Sequence, residues 1–230
     1  MNQYCQRQFE LFETIENSFK NSQKPSEVVE LMEDYSHDSR LCLTAVSFLP
    51  TKLTAIIEKN IIEPLRRNDS AQYFFPPASL HLTIKNIRII SDPPQFSDQD
   101  IAKTERIFSE IISQFRKITF ELRGLFTLPT SLAVRAYCNE TLKELILALD
   151  TGLNAAGVPD NKKYASSEIF FGNITVCRYT SEPRKNFLNT VVALKNISVG
   201  ELVVKKISLI TTNAVCHPQK TKIINEFLLK

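Results

Sequence analysis

The chain has 230 residues, 43% hydrophobic and 23% charged, with a formal net charge of +3. That length suffices for one domain or two small lobes around a buried core. The mild positive charge permits a nucleotide or RNA ligand, but it is not the basic stripe of a dedicated nucleic-acid binder.

In chain order, Phe9, Phe12, Ile15 and Phe19 recur at helical spacing and predict a helix over 4–20. Pro25 and Ser26 suit the first turn of a second helix over 25–36. Residues 1–38 therefore read as a helical extension, expected to pack on the lobe that follows, and 39–230 as the main domain. The apolar run 40–49 predicts a strand ended by Pro50. Residues 51–67 read as a helix with Leu53, Ile56, Ile57, Ile61 and Leu65 on one face. A loop at 70–79 leads to a strand at 80–90, and a helix is expected over 98–115. Strands are expected at 117–126 and 131–138. A helix over 140–155 has Asn139 as N-cap and Gly157 just past its end. A polar loop, 158–167, precedes a strand at 169–179, a helix at 182–195, a strand at 200–211 and a short apolar tail over 219–229. Interleaved strands and helices, with no Gly- or Ser-rich linker, predict an α+β protein.

The stretch Ser79-Leu80-His81-Leu82-Thr83-Ile84 alternates polar and apolar residues with period two. On a strand, His81 and Thr83 then share one face and Leu80, Leu82 and Ile84 the other. An imidazole beside a hydroxyl suits gripping a phosphate and moving a proton. Asn173-Ile174-Thr175-Val176 repeats the alternation on a later strand. Two such lobes facing each other would set His81, Thr83, Asn173 and Thr175 around one cleft.

Five cysteines, Cys5, Cys42, Cys138, Cys177 and Cys216, are dispersed without CxxC spacing, which argues against a disulfide framework and a zinc site. No Gly-rich phosphate loop, Walker motif or acidic metal cluster stands out, so no cofactor and metal-independent chemistry are the expectation. The start shows no signal-peptide pattern and no 18-residue apolar run exists, so the expectation is a cytoplasmic protein with no membrane partner.

These motifs resemble the 2H phosphoesterases, in particular the branch of RNA 2′,3′-cyclic phosphodiesterases and 2′-5′ RNA ligases. Pro77-Ala78-Ser79-Leu80-His81-Leu82-Thr83-Ile84 is similar to the family's P-x-x-L-H-L-T-L. Leu122-Arg123-Gly124-Leu125-Phe126, with Leu132-Ala133-Val134-Arg135-Ala136, resembles its hairpin. Arg178 falls where the second motif, H-I-T-L-x-R, carries its arginine. The resemblance covers residues 40–228. It implies a bilobal fold with two sheets flanked by helices around a central cleft. It also implies catalytic roles at His81, Thr83, Asn173 and Thr175, a phosphate contact at Arg178, and RNA ends or small cyclic nucleotides as ligands. Tyr73, with Phe74 and Phe75 beside the first motif, is a candidate to stack a base.

The departure is Asn173, which stands where the family has its second histidine. Asparagine exchanges hydrogen bonds but carries no proton at neutral pH. Losing a general acid or base costs about 10²–10⁴-fold in rate, roughly 3–5 kcal/mol. Three readings follow: a cyclic phosphodiesterase working through His81, a nucleotide- or RNA-end-binding protein without turnover, and an interaction module that kept the fold. His37 and His217 are expected in surface loops.

Overall fold

The computed structural model describes residues 2–20, 32, 34–162 and 164–230. Its first helix, α1, spans Gln3–Lys20. The helix expected over 25–36 falls largely outside the described residues. Its end, Tyr35–His37, is a single 3₁₀ turn whose Ser36 N–H is capped by the Asp34 carboxylate.

Two antiparallel sheets form the body of the protein. Sheet A runs in the order β3 (His81–Ser91), β1 (Leu41–Phe48), β8 (Lys206–Thr212), β9 (Lys222–Leu228). Sheet B runs β2 (Tyr73–Phe74), β6 (Gly172–Arg178), β5 (Ser131–Tyr137), β4 (Ile118–Leu128), β7 (Ser198–Val204). With the helices that flank them, these sheets make the α+β architecture expected.

Local chemistry sets the helix ends. The segment expected as one helix over 51–67 is α2 (Thr51–Ile57), one π turn (Glu58–Ile62) and α3 (Glu63–Asn68). The wide turn sits just ahead of Pro64, which has no N–H to donate and would break a regular ladder. Helix α4 (Asp98–Ile112) opens with a capping box between Ser97 and Asp100. Before α5 (Thr141–Ala155) the Asn139 carboxamide accepts the Thr141 N–H at 3.2 Å. Beyond its end Gly157 takes φ +74°, where a side chain would be strained. Helix α6 spans Lys185–Ala193.

The main apolar core joins both sheets with α2 to α6, and it holds Leu82, Ile84, Phe120, Val134, Ile174 and Val176; Phe12 of α1 packs in a separate cluster with Phe126, Ala133 and Tyr137. Leu82 and Ile174 are both fully buried, each worth about 1.5–3 kcal/mol of burial. Because strand side chains alternate, this burial forces His81, Thr83, Asn173 and Thr175 onto the other faces, where all four are half-buried.

Four further features differ from the sequence expectation. The apolar run read as one strand over 200–211 is two, β7 in sheet B and β8 in sheet A, with Lys205 at the crossing. Valine and isoleucine suit a strand in either sheet, so their run carries no mark of the change. The apolar tail over 219–229 is the edge strand β9, paired with β8. The loop at 70–79 contains β2, whose Tyr73 and Phe74 pair with Arg178 and Cys177. Helix α1 packs on β4 and β5 of the second sheet rather than on the lobe that follows it in sequence.

Candidate functional site

The two motif strands meet because of a glycine. At Gly172 a Cβ would lie 2.5 Å from Leu82 Cδ1, 3.1 Å from Phe120 Cε1 and 3.2 Å from Ala136 Cβ. Hydrogen alone lets β6 close on the fully buried Leu82 of β3. That closure brings His81, Thr83, Asn173, Thr175 and Arg178 to one cleft of about 710 Å³.

His81 is held by the turn before it. The Ser79 carbonyl lies 2.7 Å from His81 Nδ1, and the Ser79 hydroxyl donates to the Cys216 carbonyl at 2.7 Å. A carbonyl only accepts, so Nδ1 carries the proton and Nε2 of the neutral ring is the basic nitrogen. The Phe48 ring stands edge-on to the imidazole, 6.3 Å between centroids.

Cys216 is marked by no sequence signal. It comes to the cleft because the turn after β8 folds back over the start of β3, with Cys216 itself at φ +51°. Burial works against the charged form of His81, yet the neighbouring Cys216 and the Ser79 carbonyl outweigh it, and the imidazole pKa rises. Burial likewise pushes the Cys216 thiol up, but His81, Thr221 and Thr212 bring it below the ordinary thiol value. The other four cysteines all shift upward through burial, Cys42 to about 11 and Cys138 to about 12.

Arg178 enters the cleft from the end of β6. Its guanidinium donates to Thr130 Oγ1 at 3.3 Å and to the Ala214 carbonyl at 3.0 Å. Its Nε is buried without a hydrogen-bond partner, and no carboxylate pairs with it among the described residues. Burial holds its pKa below the usual guanidinium value. The amide of Asn173 and the hydroxyls of Thr83 and Thr175 face the same space and have no hydrogen-bond partner among the described residues.

Tyr73 is placed elsewhere. Its ring packs against Tyr35 and Phe75, with centroids 4.6 and 5.7 Å away, and burial pushes its hydroxyl up to about 12. Phe75, next to it but one, lines the cleft in its stead. His37 is exposed, 3.2 Å from Asp34, and His217 is half-buried outside the cleft. Neither histidine supplies what Asn173 lacks. Tyr164 also lines the cleft, from a loop tied down by the buried Lys85, which meets Asp150, Asp160 and Tyr164.

No protein-family model and no curated protein matches the chain. Solved structures do. TT0787 of Thermus thermophilus is 18% identical with a TM-score of 0.59, covering 83% of this chain and 97% of its own. E. coli LigT complexed with 3′-AMP is 16% identical with a TM-score of 0.53, over 84% and 99% of the two chains. A structure described as a phosphoesterase is 16% identical with a TM-score of 0.56, over 83% and 99%. What this chain shares with them is the fold, two curled antiparallel sheets with helices outside.

Proposed function

We propose that the cleft binds the phosphate of a 2′,3′-cyclic nucleotide, free or at an RNA end, with His81 as its proton carrier. The observation that carries this reading is Arg178, a half-buried cation with a buried, unpartnered Nε and no carboxylate partner among the described residues, in one cleft with an imidazole and two hydroxyls. A phosphate would supply the countercharge that Arg178 lacks and acceptors for its Nε and for the hydroxyls of Thr83 and Thr175. The similarity in fold to LigT, which has been seen with 3′-AMP and with phosphate, agrees with this ligand class.

Opening a cyclic phosphate by water requires a base at the water and an acid at the departing ribose oxygen. Nε2 of His81 serves one of these. Asn173 hydrogen-bonds an oxygen but transfers no proton. The site therefore favours capture over turnover, and a binding protein with slow hydrolysis is the second reading. An open cleft, rather than one filled by side chains, weighs against a purely structural role.

The test is binding and hydrolysis of a 2′,3′-cyclic mononucleotide. We expect Arg178→Gln to weaken binding at least tenfold and His81→Ala to bring any hydrolysis to background. Asn173→His should raise the rate by up to about 10²–10⁴-fold, the worth of one acid or base. Wild-type protein that binds no cyclic nucleotide, or binds it as well after Arg178→Gln, overturns the reading.

A further inference from the structure

Paired residues on neighbouring strands point to the same face of a sheet. In sheet B, Arg135 pairs with Asn173, and Ala133 pairs with Thr175. All four therefore belong to the cleft face. Only the β6 pair is open to the cleft; the β5 pair is covered by α1.

The cover is close-fitting. Phe12 of α1 lies 4.8 Å from Phe126, 5.3 Å from Tyr137 and 4.3 Å from Phe171, between ring centroids. Tyr4 and Gln8 fix the helix to the chain just before β6: Gln8 Nε2 donates to the Phe170 carbonyl at 2.6 Å, and the Tyr4 hydroxyl accepts the Phe170 N–H at 3.0 Å. Ile15 and Ser18 of α1 form the end wall of the cleft.

The charges under the helix are the informative part. Arg135, 3% exposed, sits 2.7 Å from both Glu13 Oε1 and Glu16 Oε2. Lys195 Nζ is 3.5 Å from each of the same two side chains. Arg135, cross-strand from Asn173, and Lys195 would otherwise offer two cations to the backbone phosphates of a single strand. Here two carboxylates of the same chain already occupy them and cancel their charge.

We propose that α1 sets the substrate class of the cleft: it fills the strand-binding half of sheet B and leaves room for a small cyclic nucleotide, not a longer RNA chain. This rests on the reading of the cleft as a cyclic-phosphate site. The remaining volume, about 710 Å³, is that of a small-molecule pocket. With Arg135 and Lys195 held by Glu13 and Glu16, neither is free for a second phosphate on that face; Lys162, which also lines the cleft, lies over the Tyr164 ring.

The experiment compares a 2′,3′-cyclic mononucleotide with a trinucleotide ending in the same cyclic phosphate, over a series of salt concentrations. With the full chain, the two should bind within about threefold of each other and with the same salt slope. Each extra phosphate contact would add about 0.7 to that slope. A trinucleotide that binds tenfold tighter with a steeper slope overturns the proposal while leaving the cyclic-phosphate reading intact. If neither ligand binds, that underlying reading fails instead. A Glu13→Gln/Glu16→Gln variant leaves Arg135 and Lys195 without their carboxylates and α1 without the ion pairs that hold it over them. The trinucleotide should then gain at least tenfold with a steeper slope, and the mononucleotide should stay within about threefold. A folded double variant with no gain, or an equal gain for both ligands, also overturns it. The wild-type comparison decides the matter even if the double variant does not fold.

Discussion

At the scale of single residues, His81 and Cys216 both line the cleft. Each favours the charged form of the other, the imidazolium and the thiolate, against a burial that opposes both. The folded protein consequently holds the His81 proton more tightly than the unfolded chain does. The associated stability is complete below the unfolded value of 6.5 and is lost as the pH rises through the raised folded value. Cys216→Ala takes away the largest influence that raises the pKa and leaves the burial that lowers it. The His81 ring should then titrate at a lower pH than in wild type, as read from its ring-proton NMR signals, and the stabilising window should shrink with it. An unchanged or higher midpoint would show that the thiol does not govern the imidazole. Arg178 is the complementary residue, a half-buried charge with no carboxylate partner among the described residues.

At the scale of elements, the site depends on β3 and β6 touching through Gly172. The three atoms around it leave no room for a methyl group without displacing Leu82, Phe120 or Ala136. Overpacking of this kind costs about 1–3 kcal/mol. Gly172→Val should lower the denaturation midpoint accordingly, and cyclic-nucleotide affinity should fall with it because Asn173 and Thr175 are pushed from His81. Full retention of affinity would mean that the strand contact does not align the site. The period-two pattern makes these strands, and the faces of His81, Thr83, Asn173 and Thr175, readable in the sequence, since burying Leu82 and Ile174 leaves their neighbours one orientation. Cys216 is not readable in this way: a turn after β8 brings it to β3, and neither strand announces that contact. Tyr73 departs from its expected place for a related reason. An aromatic run beside a motif does not say which ring turns inward, and here Tyr73 faces Tyr35 while Phe75 reaches the cleft. The division of 200–211 between two sheets is equally hidden, because β-branched residues suit both.

At the scale of the whole molecule, two buried ionic clusters hold the walls of one cleft. Lys85 with Asp150 and Asp160 secures the loop carrying Tyr164, and Arg135 with Glu13 and Glu16 secures α1. Removing the buried cation of either cluster, Lys85 or Arg135, leaves its carboxylates without a countercharge, at about 3–5 kcal/mol, so neither wall is a loose flap. The α1 cluster has a distinct acid dependence. Burial alone would raise the Glu13 pKa, but Arg135 and Lys195 hold it below its ordinary value of 4.5. Its contribution to stability is therefore present above pH 4.5 and disappears as the pH falls through the lower folded value. Glu13→Gln lacks that ionisation. The variant should be less stable than wild type at neutral pH, and the gap between their denaturant midpoints should close on acidification below pH 4.5. Hydrogen exchange should localise the neutral-pH difference to the amides of α1 and of β5 beneath it. A gap that stays constant with pH would show that Glu13 acts by packing rather than by charge. The electrostatic seal over Arg135 would then not be what keeps α1 on the cleft.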